Sequence, residues 1–196
     1  MSLEFPHHFS QQIKQIYEEM DQAYSKAANS YKFYCKGCKD NCCETHFFHH
    51  TYIECGYLLE GFSQLPETQQ KGILAKAKKV VEDSNTFIEK KLPVRLMCPL
   101  NLHGRCLIYE YRPMICRLHG IAHELQIPGQ PVQYSPGCDA FIDHCKKIDI
   151  NDYYPLDRTP HYIRMAQLEQ AFKKEFQINQ RIKVTISEML KLFYEP

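Results

Sequence analysis

A chain of 196 residues is long enough to bury a core without covalent staples. Its ten cysteines are about 5% of the composition, below the roughly 8–10% that marks a disulfide scaffold. With 24 basic and 23 acidic side chains, a formal charge of +1 and 44% hydrophobic residues, the composition excludes a disordered, collagen-like or wholly coiled-coil chain. It also leaves no bulk electrostatic field for nucleic acid or an acidic membrane.

The N-terminus, Met1-Ser2-Leu3-Glu4-Phe5-Pro6-His7-His8, has neither the basic nor the apolar region of a secretory signal. No apolar run approaches the roughly 18 residues of a transmembrane helix. The expectation is a cytoplasmic protein with no membrane or nucleic-acid partner, whose thiols stay reduced and serve metal or redox chemistry. Over residues 7–28, Phe9, Ile13, Ile16, Tyr17, Met20, Tyr24 and Ala27 recur at three- and four-residue steps, which predicts one packing helix. Glu18, Glu19 and Asp21 lie off that stripe.

Thr51-Tyr52-Ile53-Glu54 has the form of a capping box and predicts a helix over 52–61. Pro66 opens a longer helix whose stripe is Ile73, Leu74, Ala77, Val80, Val81, Ser84, Phe87 and Ile88, ending near Pro93. Prolines and glycines then interrupt the chain repeatedly, with a very short strand expected at Leu107-Ile108-Tyr109 and a brief helix over 139–147. Thr159-Pro160 reads as an N-cap followed by proline, starting a helix with Ile163, Ala166, Leu168, Ala171, Phe172 and Phe176 inward. Thr185-Ile186-Ser187-Glu188 is a second capping box before a last helix bearing Met189, Leu190 and Phe193. The sum is a single domain over residues 1–196, mostly α, with little or no β. An irregular, loop-rich cysteine region over 35–145 is held between the N-terminal helix and the helices of 155–196.

Every cysteine falls in that middle region. Cys35 and Cys38 are spaced C-x₂-C across Gly37, a turn that aims two sulfurs at one ion. Cys42 and Cys43 follow; in extended backbone adjacent side chains point to opposite faces, which makes them awkward ligands of one ion. Cys98, Cys106, Cys116 and Cys138 each lie beside a Pro or Gly turn or a tight bend, where irregular backbone can converge thiolates. These eight are the expected metal ligands. Cys55, inside the capped helix, and Cys145, seven residues after Cys138, read as packing. A single C-x₂-C knuckle is not paired zinc-finger spacing, and the ferredoxin run is absent, so zinc and iron–sulfur both remain open. Four disulfides or a set of buried thiols are the bland alternative.

The run Cys35-x₂-Cys38-x₃-Cys42-Cys43, then Cys98-Pro99, then Gly104-Arg105-Cys106-Leu107-Ile108-Tyr109-Glu110-x-Arg112-Pro113-x₂-Cys116-Arg117, resembles the YkgJ-like cysteine-cluster family over residues 35–138. That family is described as a zinc- or iron-chelating CxxCxxCC domain, or as an Fe–S-cluster-containing protein. The resemblance implies Cys35, Cys38, Cys42, Cys43, Cys98, Cys106, Cys116 and Cys138 as ligands. A similar cluster occurs in flagellin lysine methylases, but this short chain has no glycine-rich nucleotide fingerprint.

Arg112 and Arg117 flank Cys116 and either offset the charge of a thiolate cluster or pair with Glu110, Asp139 or Asp143. Tyr109 and Tyr111 are expected to pack the wall of the site. Most of the histidines, among them His46, His49, His50 and His123, are expected to have no role at the metal; His119 is the one to test as a ligand or close neighbour, and His49 and His50 are expected in solvent. The leading expectation is a metal-binding protein holding iron as an Fe–S cluster, with a redox or electron-transfer role and an unidentified protein or redox partner. The rivals are a structural zinc module that mediates protein interaction and a metal-dependent protein-modifying enzyme.

Overall fold

The computed structural model describes residues 5–35, 42–150 and 154–194. The described residues form seven α-helices and five short strands, and helix dominates. Helix α1 (His7–Ser30) buries Phe9, Ile13, Ile16, Tyr17 and Met20, the stripe its periodicity predicts. Tyr24 and Ala27 lie half-buried, because the far end of α1 turns Ala28 inward instead. That face packs against α2 (Tyr52–Ser63), α4 (Met114–Leu118) and α6 (Thr159–Glu175), sharing one apolar core with Ile53, Tyr57, Leu118, Met165 and Phe172.

The other side of α2 faces a second core. Leu58, Phe62 and Cys55 meet Ile73 and Ala77 of α3 (Glu67–Glu89), together with Met189 and Leu190 of α7 (Ile186–Tyr194). Ile88 of the predicted α3 stripe is exposed, since nine-residue α7 is too short to cover the whole of α3. A third, smaller core joins Ala28, Tyr31 and Phe33 to Ile121, Ala122, Phe141 and Cys145, the last two on α5 (Asp139–Lys147). Fully burying a side chain such as Phe62 contributes about 2–3 kcal/mol, so helix-on-helix packing supplies much of the folding free energy.

The strands are few and short. β1 (Asn101–Leu102) and β2 (Arg105–Cys106) form a hairpin closed by His103 and Gly104, both at positive φ, the backbone a two-residue turn of this hand requires. β3 (His123–Leu125) pairs antiparallel with β4 (Gln133–Ser135) and parallel with β5 (Leu156–Asp157). No strand covers Leu107-Ile108-Tyr109: the ladder ends at Cys106, and Tyr109–Tyr111 is a 3₁₀ turn.

Two further expectations are corrected. Thr159 is the first residue of α6 rather than its cap; its N–H is taken by the Asp157 carboxylate at 2.8 Å. The inward face of α6 is Met165, Leu168 and Phe172, while Ile163 and Phe176 are exposed and Ala166 and Ala171 face solvent, because α1 and α2 lie on one side only. The Thr185–Glu188 capping box is formed, with Thr185 N–H donating to Glu188 Oε2 at 2.7 Å and Glu188 N–H to Thr185 Oγ1 at 3.3 Å. No described helix is long and apolar enough to cross a membrane.

Candidate metal centre

The described candidate cysteines lie on separate stretches of the chain: Cys35, Cys42–Cys43, Cys98 and Cys106 around the β1–β2 hairpin, Cys116 on α4 and Cys138 at the start of α5. Cys42 and Cys43 open a 3₁₀ turn (Cys42–Glu44), and there the Cys42 thiol hydrogen-bonds Cys43. The opposite-facing geometry expected of extended backbone is therefore overturned: a tight turn rotates neighbouring side chains toward the same side. The shared hydrogen bond raises the Cys42 pKa and lowers that of Cys43, whose thiolate is the favoured partner.

Backbone pairing ties this turn to the hairpin. Cys98 N–H donates to the Cys43 carbonyl at 2.8 Å, and Asn101 N–H to the Cys98 carbonyl at 3.0 Å. Burial pushes the Cys98 thiol up to about 12, opposed by amide N–H groups of Leu100 and Asn101 that reach its sulfur. Cys106, paired with Asn101 in the hairpin register, is likewise raised by burial and opposed by the N–H of Ile108 and by the charges of Arg112 and Arg117. Cys116 sits on α4 directly before Arg117. Its pKa is raised well above the ordinary value by burial, and then by the nearby charges of Cys98, Cys106 and Cys43.

These mutual influences define a group of four: Cys43, Cys98, Cys106 and Cys116. A second set, Cys35, Cys138 and Cys42, acts on the half-buried Tyr24 hydroxyl, which is raised first by burial and then by those three thiols. Cys138 is positioned at the cap of α5 by its N–H bond to the Gly120 carbonyl at 2.8 Å. Cys42 senses both Cys116 and Cys35, so the two sets adjoin. Cys38 lies outside the described residues. No described cysteine forms a disulfide.

The donor set fits a soft, thiolate-bound metal. Amide donors aimed at sulfur favour the thiolate over the weakly accepting thiol, and the thiolate is the form that binds a cation. The Asn101 amide favours the Cys43 thiolate, yet its buried Nδ2 is in no well-formed hydrogen bond with any acceptor, a donor that a charged sulfur would satisfy. Among the described residues, however, no group of three or more His, Cys, Asp or Glu side chains stands in metal-holding geometry.

The frame under the site rests on residues whose role the sequence pattern concealed. Glu54 is 4% exposed and does not cap its own helix. Its Oε1 accepts from Met114 N–H at 2.7 Å and from the Tyr17 hydroxyl at 3.1 Å, and its Oε2 accepts from the Thr51 hydroxyl at 2.6 Å. One carboxylate thus ties α1, α2 and the start of α4, the helix bearing Cys116. The α2 amides of Tyr52 and Ile53 are capped instead by Glu169 of α6, at 3.1 and 3.0 Å. The capping-box pattern located the helix, but the cap itself comes from another helix.

Arg112 and Arg117 pair with Asp21 of α1, at 3.1 and 2.5 Å, rather than with Glu110, Asp139 or Asp143. Arg117 also donates to the carbonyls of Arg112 and Glu110, and its guanidinium stacks over Tyr17. Both arginines still lower the pKa of Cys106 by their charge, so structural pairing and influence on the thiols coexist. Tyr111 packs on Tyr57 with ring centroids 4.7 Å apart, but Tyr109 is exposed beneath Arg112. His49, expected in solvent, is 3% exposed and pairs its backbone with Val184; burial lowers its pKa. His119 packs edge-on against Phe47 at 5.4 Å.

No protein-family model, no curated protein and no solved structure matches the chain.

Proposed function

We propose that this chain is a cytoplasmic protein of YkgJ-like type that binds iron, as an iron–sulfur centre, through its turn-borne cysteines and exchanges electrons with a protein partner. What supports the reading is that Cys43, Cys98, Cys106 and Cys116, from separate segments, lie within electrostatic range of one another, with backbone N–H groups at the sulfurs of Cys98 and Cys106. The set of Cys35, Cys42 and Cys138 beside it, with Cys38 in the same stretch of sequence, would supply further ligands. A bound centre of this kind supplies one-electron exchange. The chain's own part is to hold thiolates: Leu100, Asn101 and Ile108 donate N–H groups to sulfur, and Arg112 and Arg117 offset negative charge. Glu54 fixes α4, and with it Cys116, against α1 and α2.

The placement of Cys98 just before the hairpin and of Cys106 within it favours a second reading, a closed structural zinc site, because turn amides directed at thiolates suit zinc equally well. Purification without oxygen, a visible spectrum, and a count of metal and acid-labile sulfide per chain separate the two. A brown protein containing iron and sulfide is the expected result. A colourless protein with stoichiometric zinc and no sulfide transfers the site to zinc, and absence of any metal would sink both readings.

A further inference from the structure

A cavity of about 260 Å³ opens between β3, β4 and the start of α6, and no cysteine is among the residues that line it. Its wall includes Ile115, His123, Gln133, Ser135, Arg158 and Tyr162. Arg158 is the unusual member. It is 3% exposed, one Nη donates to the Leu118 carbonyl, and its Nε is buried without a hydrogen-bond partner. Arg117, equally buried, shows the contrast: Asp21 neutralises it and two carbonyls take its N–H groups. Among the described residues no carboxylate forms an ion pair with Arg158; the groups that favour its charge are the Tyr162 hydroxyl, which hydrogen-bonds its side chain, and the Tyr24 hydroxyl. Burial lowers its pKa to about 10, which leaves it cationic near neutrality.

A buried guanidinium without a counter-charge is costly, and it cannot escape by losing its proton at physiological pH. An anion in the adjoining cavity resolves the imbalance. Arg158 also stands at the N-terminal end of seventeen-residue α6, where the helix dipole favours negative charge. The planar guanidinium matches a carboxylate, and the cavity has room for a small molecule rather than a peptide. His123 narrows the chemistry further. Its Nδ1 lies 3.1 Å from the Ile121 carbonyl and must carry the proton there, so Nε2 of the neutral ring is an acceptor. An acceptor in the wall calls for a donor on the ligand.

We propose that this cavity binds a small monocarboxylate bearing a hydroxyl group, with its carboxylate on Arg158 and its hydroxyl donating to His123. Ser135, Gln133 and Tyr162 complete the polar wall. The site is independent of the metal reading, since none of these residues is a thiol.

The test uses the full chain as purified, titrated with glycolate, acetate and inorganic phosphate by calorimetry and followed by thermal melting. Glycolate is expected to bind saturably at roughly millimolar concentration or below and to raise Tm. Acetate, lacking the hydroxyl, binds more weakly. Arg158→Met should weaken glycolate by about tenfold or more; it removes an uncompensated charge but also the donor of the Leu118 carbonyl. Tyr162→Phe, a milder change, should weaken glycolate several-fold and covers the case in which Arg158→Met does not fold. The proposal is overturned if glycolate does not bind the wild-type chain, if phosphate binds more tightly than glycolate, or if the foldable variants bind glycolate unchanged.

Discussion

Cys55 and Cys116 lie on helices of the same frame, yet their surroundings differ. Cys55 is 3% exposed on α2 and packs among Leu58, Phe62 and Met189, with burial raising its thiol pKa. Cys116 sits on five-residue α4, among three other thiols and beside two arginines. Cys145 repeats the first case, fully buried next to Phe141 on α5. Residue type therefore does not decide the role of a thiol here. Cys55 and Cys145 are enclosed by apolar side chains, whereas Cys116, although helical, faces other chain segments that carry thiols, and Cys98 and Cys106, outside any helix, also meet backbone N–H groups that favour a thiolate.

The largest effect that would break this contrast is on metal content. Cys106→Ser or Cys116→Ser is expected to abolish binding and, because metal binding is coupled to folding, to lower Tm. Cys55→Ser and Cys145→Ser should leave metal stoichiometry unchanged and cost about 1–3 kcal/mol for a hydroxyl buried without a partner. Equal metal loss in both pairs, measured by elemental analysis, would erase the distinction.

Glu54 is the neighbour of Cys55 in sequence but serves the site of Cys116. Glu54→Ala leaves the Met114 amide and the Tyr17 hydroxyl without their buried acceptor. The expected cost is about 3 kcal/mol in denaturant unfolding, with metal affinity falling as well because α4 is released. Loss of stability with metal affinity intact would show that α4 is held by other contacts.

Glu169→Gln replaces one of the two oxygens that cap α2 with an NH₂ group and removes the charge, so one of the Tyr52 and Ile53 amides loses its acceptor and about 1–2 kcal/mol should be lost, with no change in metal content. This variant separates damage to the frame from damage to the centre.

The shallowest effect concerns pH. Burial depresses the pKa values of His49 and His123 below the ordinary 6.5. Between the folded and unfolded values the unfolded chain binds more protons, so this contribution is complete above about pH 6.5 and is lost as pH falls through that window. Tm should decline from roughly pH 7.5 to 5.5, and His49→Gln should flatten part of the decline. An unchanged slope in that variant would assign the effect to other groups.

Much of the helical layout was legible along the chain. Three- and four-residue spacing found α1 and α3, Pro66 and Pro93 bracketed α3, and the brief helix at Asp139–Lys147 was located to the residue. Those signals are local, set by backbone propensity and by which side chains share one helical face. The inward face of α6 was misjudged because Ile163 and Met165 are both apolar, and only the position of α1 and α2 selects between them.

The sequence by itself determined that thiols concentrate in the turn-rich middle of a mostly helical chain, since cysteine, proline and glycine positions are read directly. Tertiary structure decided which partners they have. Asp21 was read only as lying off the apolar stripe and receives two arginines; Glu54 was read as a cap and became a buried strut; Arg158 carried no signal and faces a cavity without a carboxylate partner among the described residues. Each of these roles depends on charge or hydrogen bonding between segments far apart in the chain. Such pairings are fixed by burial, which removes water as the alternative partner, and burial exists only once the helices have packed.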